Sequence, residues 1–191
     1  MLGIPRGGVP VAYEVAERLG APLDVIPVRK LGAPTNPEFA FGAVGPGGVL
    51  VLEDATIAWL GLSRMEVDDI IARERRELAR REARYRGERP HPVLRDRTVI
   101  LVDDGIATGA TMQAAVEAVR HAGAAHVIAA VPVAGRDARA RVRASADECI
   151  CVAIPEPLDG VGRWYEDFSQ TSDAEVIALL DAAAARVEQG R

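Results

Sequence analysis

Between residues 98 and 154 three short apolar runs, at 98–102, 126–132 and 148–154, are separated by two stretches of helical period, from about Thr108 to Ala122 and from 136 to 145. Strands apolar throughout must be buried on both faces, and helices packed on both sides do this. The alternation therefore predicts an α/β fold with a doubly wound, mostly parallel sheet flanked by helices. With 191 residues, 49% of them hydrophobic, the chain can enclose one full core, and residues 1–191 read as a single domain.

The flanking segments extend the pattern. Val11, Ala12, Val15, Ala16 and Leu19 keep a helical period that stops at Gly20, a residue suited to a C-cap. "LDVIPV" reads as a short strand that Pro27 interrupts or confines to an edge. Two apolar runs around the Gly-Pro-Gly-Gly of residues 45–48 predict a β-hairpin. Residues 63–87 form a charged helical insertion: Ser63 and Glu66 make a capping box, Ile71, Leu78 and Tyr85 recur at heptad spacing, and Gly87, Pro90 and Pro92 end it. Its apolar stripe fits the core or a second subunit, so a homodimer is one expectation. Ser172 and Glu175 cap a final helix.

The formal net charge of -5 gives no overall attraction to nucleic acid or to an anionic membrane, so any anionic ligand must be held by local groups. The apolar runs are too short to cross a bilayer, and "MLGIPRGG" lacks the apolar core of a signal peptide. Cys149 and Cys151 stand two apart in a strand and read as small core residues of a reduced, cytoplasmic protein. The three histidines and two cysteines show no zinc spacing.

The chemistry concentrates in "VILVDDGIATGAT", Val99 to Thr111. Ligands of an open parallel sheet bind beyond the carboxyl ends of its strands, where Asp103 and Asp104 fall. The small residues that follow lead into a helix, so backbone N–H groups and the helix dipole face the same crevice, and Thr108 and Thr111 add hydroxyls. That is a cup for a phosphate. Two carboxylates beside a phosphate need a group between, and a sugar serves: its hydroxyls donate to the acids while its phosphate sits in the cup. The acid pair also suits a divalent cation, bound directly or through water. A Walker A loop is excluded because "GIATGAT" has no lysine, and a dinucleotide fingerprint because it has no G-x-G-x-x-G. None of the four serines stands in a G-x-S-x-G elbow.

This stretch resembles the thirteen-residue phosphoribosyl pyrophosphate (PRPP) signature of the type I phosphoribosyltransferases. "GIPRGG", Gly3 to Gly8, is similar to the pyrophosphate loop of a mostly uncharacterised group of them. "VRKLGAPTNPEFAFGAV" resembles the mobile loop, and "GRWYEDFSQTSDAEV" the C-terminal hood. The resemblance implies the fold of that family, with a mobile loop or hairpin at 29–53 and a small hood at 155–172. It implies that Asp103 and Asp104 hold the ribose hydroxyls and that Ala107, Thr108, Gly109, Ala110 and Thr111 hold the 5'-phosphate. Arg6, Gly7 and Gly8 would face the pyrophosphate, in a loop where relatives commonly carry a cis peptide, and Arg29 and Lys30, the only lysine in the chain, would approach it. Family members usually carry another helix and strand before this loop. Only Met1 to Ile4 precede Pro5 here, which fits a shortened N-terminus.

The implied activity is transfer of the phosphoribosyl group of PRPP to a nitrogenous acceptor with release of pyrophosphate. Arg6, Lys30, Asp103 and Asp104 would be catalytic, and Mg²⁺ carried by PRPP would be the cofactor, with no ligand set of the protein's own. A closing loop with Gly32, Pro34 and Pro37 would exclude water. Trp164, Tyr165 and Phe168 crowd three of eight aromatic residues into five positions; stacking of Trp164 or Tyr165 on an acceptor base and packing of the hood onto the sheet both fit them. Two other functions suit the same residues, a non-catalytic PRPP-sensing regulator and a sugar-phosphate or PRPP hydrolase.

Overall fold

The computed structural model describes residues 1–34, 36–87 and 89–189. Thr35, and the side chain of Pro37 in the expected closing loop, lie outside the described residues. Five strands form a wholly parallel sheet in the order β2–β1–β6–β7–β8, with β1 at Leu2–Gly3, β2 at Asp24–Val25, β6 at Thr98–Val102, β7 at His126–Val133 and β8 at Glu148–Ala153. A second, antiparallel sheet runs β3–β4–β5, at Arg29–Ala33, Asn36–Val44 and Leu50–Leu52. The helices are α1 (Gly8–Leu19), α2 (Asp54–Leu60), α3 (Arg64–Arg86), α4 (Ala110–His121), α5 (Arg136–Ser145) and α6 (Asp173–Gln189).

The predicted α/β architecture is present, and its central elements fall where the periodicity places them. The run at 23–28 yields only two residues of strand. Ile26 still donates to the Gly3 carbonyl at 3.0 Å, and Pro27 beyond it has no N–H to continue the ladder. The 29–53 segment holds the expected hairpin, β4 to β5, but β3 joins it to make three strands, and α2 follows as a separate helix.

Two cores follow from two sheets. On one face of the parallel sheet α4 and α5 bury Met112, Ala115, Val119, Ala138 and Val142 against Leu101, Val127, Ala129 and Val131. The antiparallel sheet packs on α3 through Leu31, Phe41, Val44, Val67, Ile70, Ile71 and Leu78. The charged helix is therefore covered by its own chain along this stripe. Its heptad residue Tyr85 turns instead to a third cluster with Val9 of α1 and Val176 and Leu180 of α6.

Cover on both faces, expected along the whole sheet, fails at β8. Cys149 and Cys151 face the main core, half-buried and not joined as a disulfide, and their thiols share a hydrogen bond at 3.8 Å. The alternate residues Ile150, Val152 and Ile154 are 53%, 86% and 40% exposed. α1 and α6 pack toward the β2–β1–β6 side, so among the described residues no helix lies over this half of the second face. None of the described helices is long and apolar enough to cross a membrane.

Candidate functional site

The sheet order fixes where a ligand can sit. From β1 the chain moves outward to β2, and it later returns to lay β6 against the other side of β1. The loops after β1 and β6 thus leave the sheet in opposite directions and open a crevice between their carboxyl ends. The Pro5–Gly8 loop and the Asp103–Gly109 loop meet there. A methyl group at Gly7 would overlap the Asp104 carboxylate, and one at Gly8 would lie 2.7 Å from both the Asp103 Cα and the Val102 oxygen. The glycine pair is therefore what lets the two loops touch. The Pro5–Arg6 peptide is cis, as the resemblance implied.

Behind the acids the chain is tied down, and in front it is open. Asp103 Oδ1 accepts from the Asp104 N–H at 2.9 Å, Ile106 N–H donates to Val133 O at 2.9 Å, and Arg141 holds the Thr108 carbonyl at 2.9 and 3.1 Å. Among the described residues no protein acceptor meets the N–H groups of Ala107 to Met112, which run through Gly109 into the first turn of α4. A cavity of about 190 Å³ lies before them, walled by Lys30, Asp103, Asp104, the loop from Gly105 to Gly109, Thr111 and Val161. Ala110 opens the helix in the same turn.

The electrostatics are lopsided. Burial pushes the Asp103 carboxyl well above the usual carboxylate range and the adjacent Asp104 charge pushes it further, against the Asp104 N–H and the Lys30 ammonium. Burial likewise raises Asp104, opposed by the Gly105 N–H and by Lys30. The ionised pair is therefore held at a cost that Lys30 only partly offsets and that hydroxyl donors or a divalent cation would relieve.

A second cleft, of about 470 Å³, adjoins the first at Asp104 and is lined by Arg6, Gly7, Tyr165 and Phe168 among others. The Tyr165 hydroxyl donates to the Asp104 carbonyl at 2.6 Å, and its ring lies 5.1 Å from that of Phe168. Burial first, then the two aspartates, raises the Tyr165 phenol to about 12, so it remains a donor. Arg6 is steadied from behind: its Nη1 lies 3.9 Å from Asp173 Oδ1, and that carboxylate accepts from the Tyr85 hydroxyl at 2.7 Å.

Most of the residues singled out from the sequence gather here. Arg6, Gly7, Gly8, Lys30, Asp103, Asp104 and the Ala107–Thr111 loop surround the crevice. Two do not. Arg29 and Lys30 are successive residues of a strand and point to opposite faces; Lys30 reaches the acids, whereas Arg29 donates to Glu74 of α3 at 2.9 and 2.7 Å. Trp164 is half-exposed and outside the cleft wall, and Phe168 lines it with Tyr165. Sequence reasoning missed Asp173 and Glu74. The capping box at Ser172 could have marked Asp173 as the first residue of α6, at the hood's end.

The chain is similar to known proteins over nearly its whole length. The phosphoribosyl transferase domain family matches residues 1–163. A Mycobacterium tuberculosis protein provisionally named a phosphoribosyl transferase, present in strains CDC 1551 and H37Rv, is 49% identical over 183 residues, which is 96% of this chain. The chain spans only 41% of the length of those relatives. The crystal structure of TT1426 from Thermus thermophilus superposes with a TM-score of 0.79 at 47% identity, covering 94% of this chain and 85% of that one. On these grounds the chain belongs to the phosphoribosyl transferase domain family.

Proposed function

We propose that the protein is a Mg²⁺-dependent phosphoribosyltransferase that binds PRPP and transfers its phosphoribosyl group to a nitrogenous acceptor, most fittingly a nucleobase. The observation that carries this reading is the pairing of Asp103 and Asp104 with a turn of unengaged amides across one small cavity. The amides of Ala107 to Thr111 would bind the 5'-phosphate, helped by the α4 dipole and the Thr108 and Thr111 hydroxyls. The two carboxylates would accept from the ribose hydroxyls and so hold C1 toward the second cleft.

In the reaction the C1–O bond to pyrophosphate breaks and its electron pair leaves with the pyrophosphate. The C1–N bond forms from the acceptor's lone pair, and the acceptor's proton is released. Arg6 and Lys30 would stabilise the departing charge, and Tyr165 and Phe168 would offer the acceptor an aromatic wall. Among the described residues no group of three or more His, Cys, Asp or Glu could hold a metal. Asp103 and Asp104 would hold Mg²⁺ carried by PRPP, through water. When bound, the ion would neutralise the leaving pyrophosphate.

The test is to incubate the protein with PRPP, Mg²⁺ and a panel of purine and pyrimidine bases and follow pyrophosphate. Acceptor-dependent release is expected. Release without an acceptor would identify a hydrolase, and binding without turnover a PRPP-sensing regulator.

A further inference from the structure

Arg6 reaches the crevice from the tight Pro5–Gly8 loop and lines the cleft next to Asp104. Its ion-pair partner is Asp173, the first residue of α6, with Nη1 3.9 Å from Oδ1. That separation is beyond hydrogen-bonding reach. Among the described residues the Arg6 guanidinium makes no hydrogen bond to protein, so its N–H groups stay available to a ligand.

What keeps the pair apart is the way Asp173 is held. Its Oδ1 accepts from the Tyr85 hydroxyl at 2.7 Å, and its Oδ2 lies 2.9 Å from Arg84 Nη1. Both donors stand in the last turn of α3, so the carboxylate is pinned to that helix rather than to Arg6. Tyr85 is a firm anchor, because it is buried and its ring packs with Val9, Val176 and Leu180. Burial first, then the bond to Asp173, pushes its phenol up to about 12, so it remains a donor. In turn the Tyr85 hydroxyl, above all, holds the Asp173 carboxyl below its usual range, so the acid is ionised near neutrality. A carboxylate free to turn, this close to a guanidinium, would close on it as a charge-assisted pair. Arg6 would then face α6 instead of the cleft.

We propose that Tyr85 is a positioning residue for phosphoribosyl transfer: its hydroxyl pins Asp173, so that the carboxylate steadies Arg6 at a distance without capturing it and Arg6 keeps its N–H groups for pyrophosphate. The proposal rests on the reading of Arg6 as a pyrophosphate contact. Tyr85 itself lines neither cleft at Asp104. By this assignment α3 stands behind both cations of the crevice, through Glu74 and Arg29 for Lys30 and through Tyr85 and Asp173 for Arg6.

The test compares PRPP with ribose 5-phosphate, which lacks the pyrophosphate, by titration calorimetry of the full chain with Mg²⁺. Tyr85→Phe keeps the ring and should bind PRPP about tenfold more weakly, the worth of one charge-assisted hydrogen bond. It should bind ribose 5-phosphate as the wild type does. Asp173→Asn should favour PRPP binding more in the Tyr85→Phe background than in the wild-type one, because only there has the carboxylate captured Arg6. A crystal structure of Tyr85→Phe should show Arg6 within hydrogen-bonding distance of Asp173. Unchanged PRPP affinity, an equal loss for both ligands, the same Asp173→Asn effect in both backgrounds, or an unmoved Arg6 would overturn the proposal and leave the phosphoribosyltransferase reading standing. Wild-type protein that binds no PRPP would overturn both.

Discussion

Gly8 has no room for a side chain, because the strand carrying the acids passes directly beneath it. Gly8→Ala must push apart the two loops that form the crevice. The expected loss is about 1 to 3 kcal/mol of stability, measured by urea unfolding, together with weaker PRPP binding. The acid pair makes a prediction about pH. Asp103 and Asp104 titrate above the ordinary value of 3.8 in the folded protein, so the native state holds protons that the unfolded chain releases. Their favourable share of stability is complete below that ordinary value and disappears as pH rises through the raised folded values. Asp103→Asn, which cannot ionise, should therefore gain in Tm relative to wild type as pH is raised from about 4 toward neutrality. A Tm difference constant across that range would contradict the raised values. Asp104→Asn and Thr111→Ala should each weaken PRPP binding in titration calorimetry and leave the circular dichroism spectrum unchanged.

Among the elements, α3 links the two sheets. Its Glu74 has a side chain only 10% exposed and accepts two bonds from Arg29, which fixes the strand that presents Lys30 to the acids. Glu74→Ala would strand the Arg29 charge, still 28% exposed, and should destabilise the protein by roughly 2 to 3 kcal/mol, less than for a wholly buried pair. β8 behaves in the opposite way. Val152→Ser on its bare face should change stability by no more than about 0.5 kcal/mol, whereas Leu101→Ala in the main core should lose about 2 to 5 kcal/mol. The periodicity at 98–154 revealed the strands and helices that build the cup, because each is long enough to show its period. β1 and β2 have two residues each, too few to show one. The opposite orientations of Arg29 and Lys30 were present in the strand's period of two, but the resemblance to a mobile loop masked them. Glu74 lies on the apolar stripe of α3, four residues after Ile70 and four before Leu78, but a glutamate there reads as a break in the stripe because its partner is 45 residues away. The bare face of β8 was hidden too, because an apolar strand reads alike whether or not a helix covers it.

At the scale of the molecule, two sheets with separate cores converge on one crevice. The parallel sheet delivers the acids and the amide cup, the antiparallel sheet delivers Lys30, and the hood is pinned over the acids by the Tyr165 hydroxyl. On the proposed function this arrangement would grip one end of a sugar phosphate and leave C1 facing Arg6 and the aromatic wall. A crystal structure of the protein with ribose 5-phosphate tests this most directly. The account predicts the phosphate within hydrogen-bonding distance of the Ala107–Thr111 amides and the 2- and 3-hydroxyls on Asp103 and Asp104. A phosphate bound elsewhere, or hydroxyls turned away from both carboxylates, would contradict it.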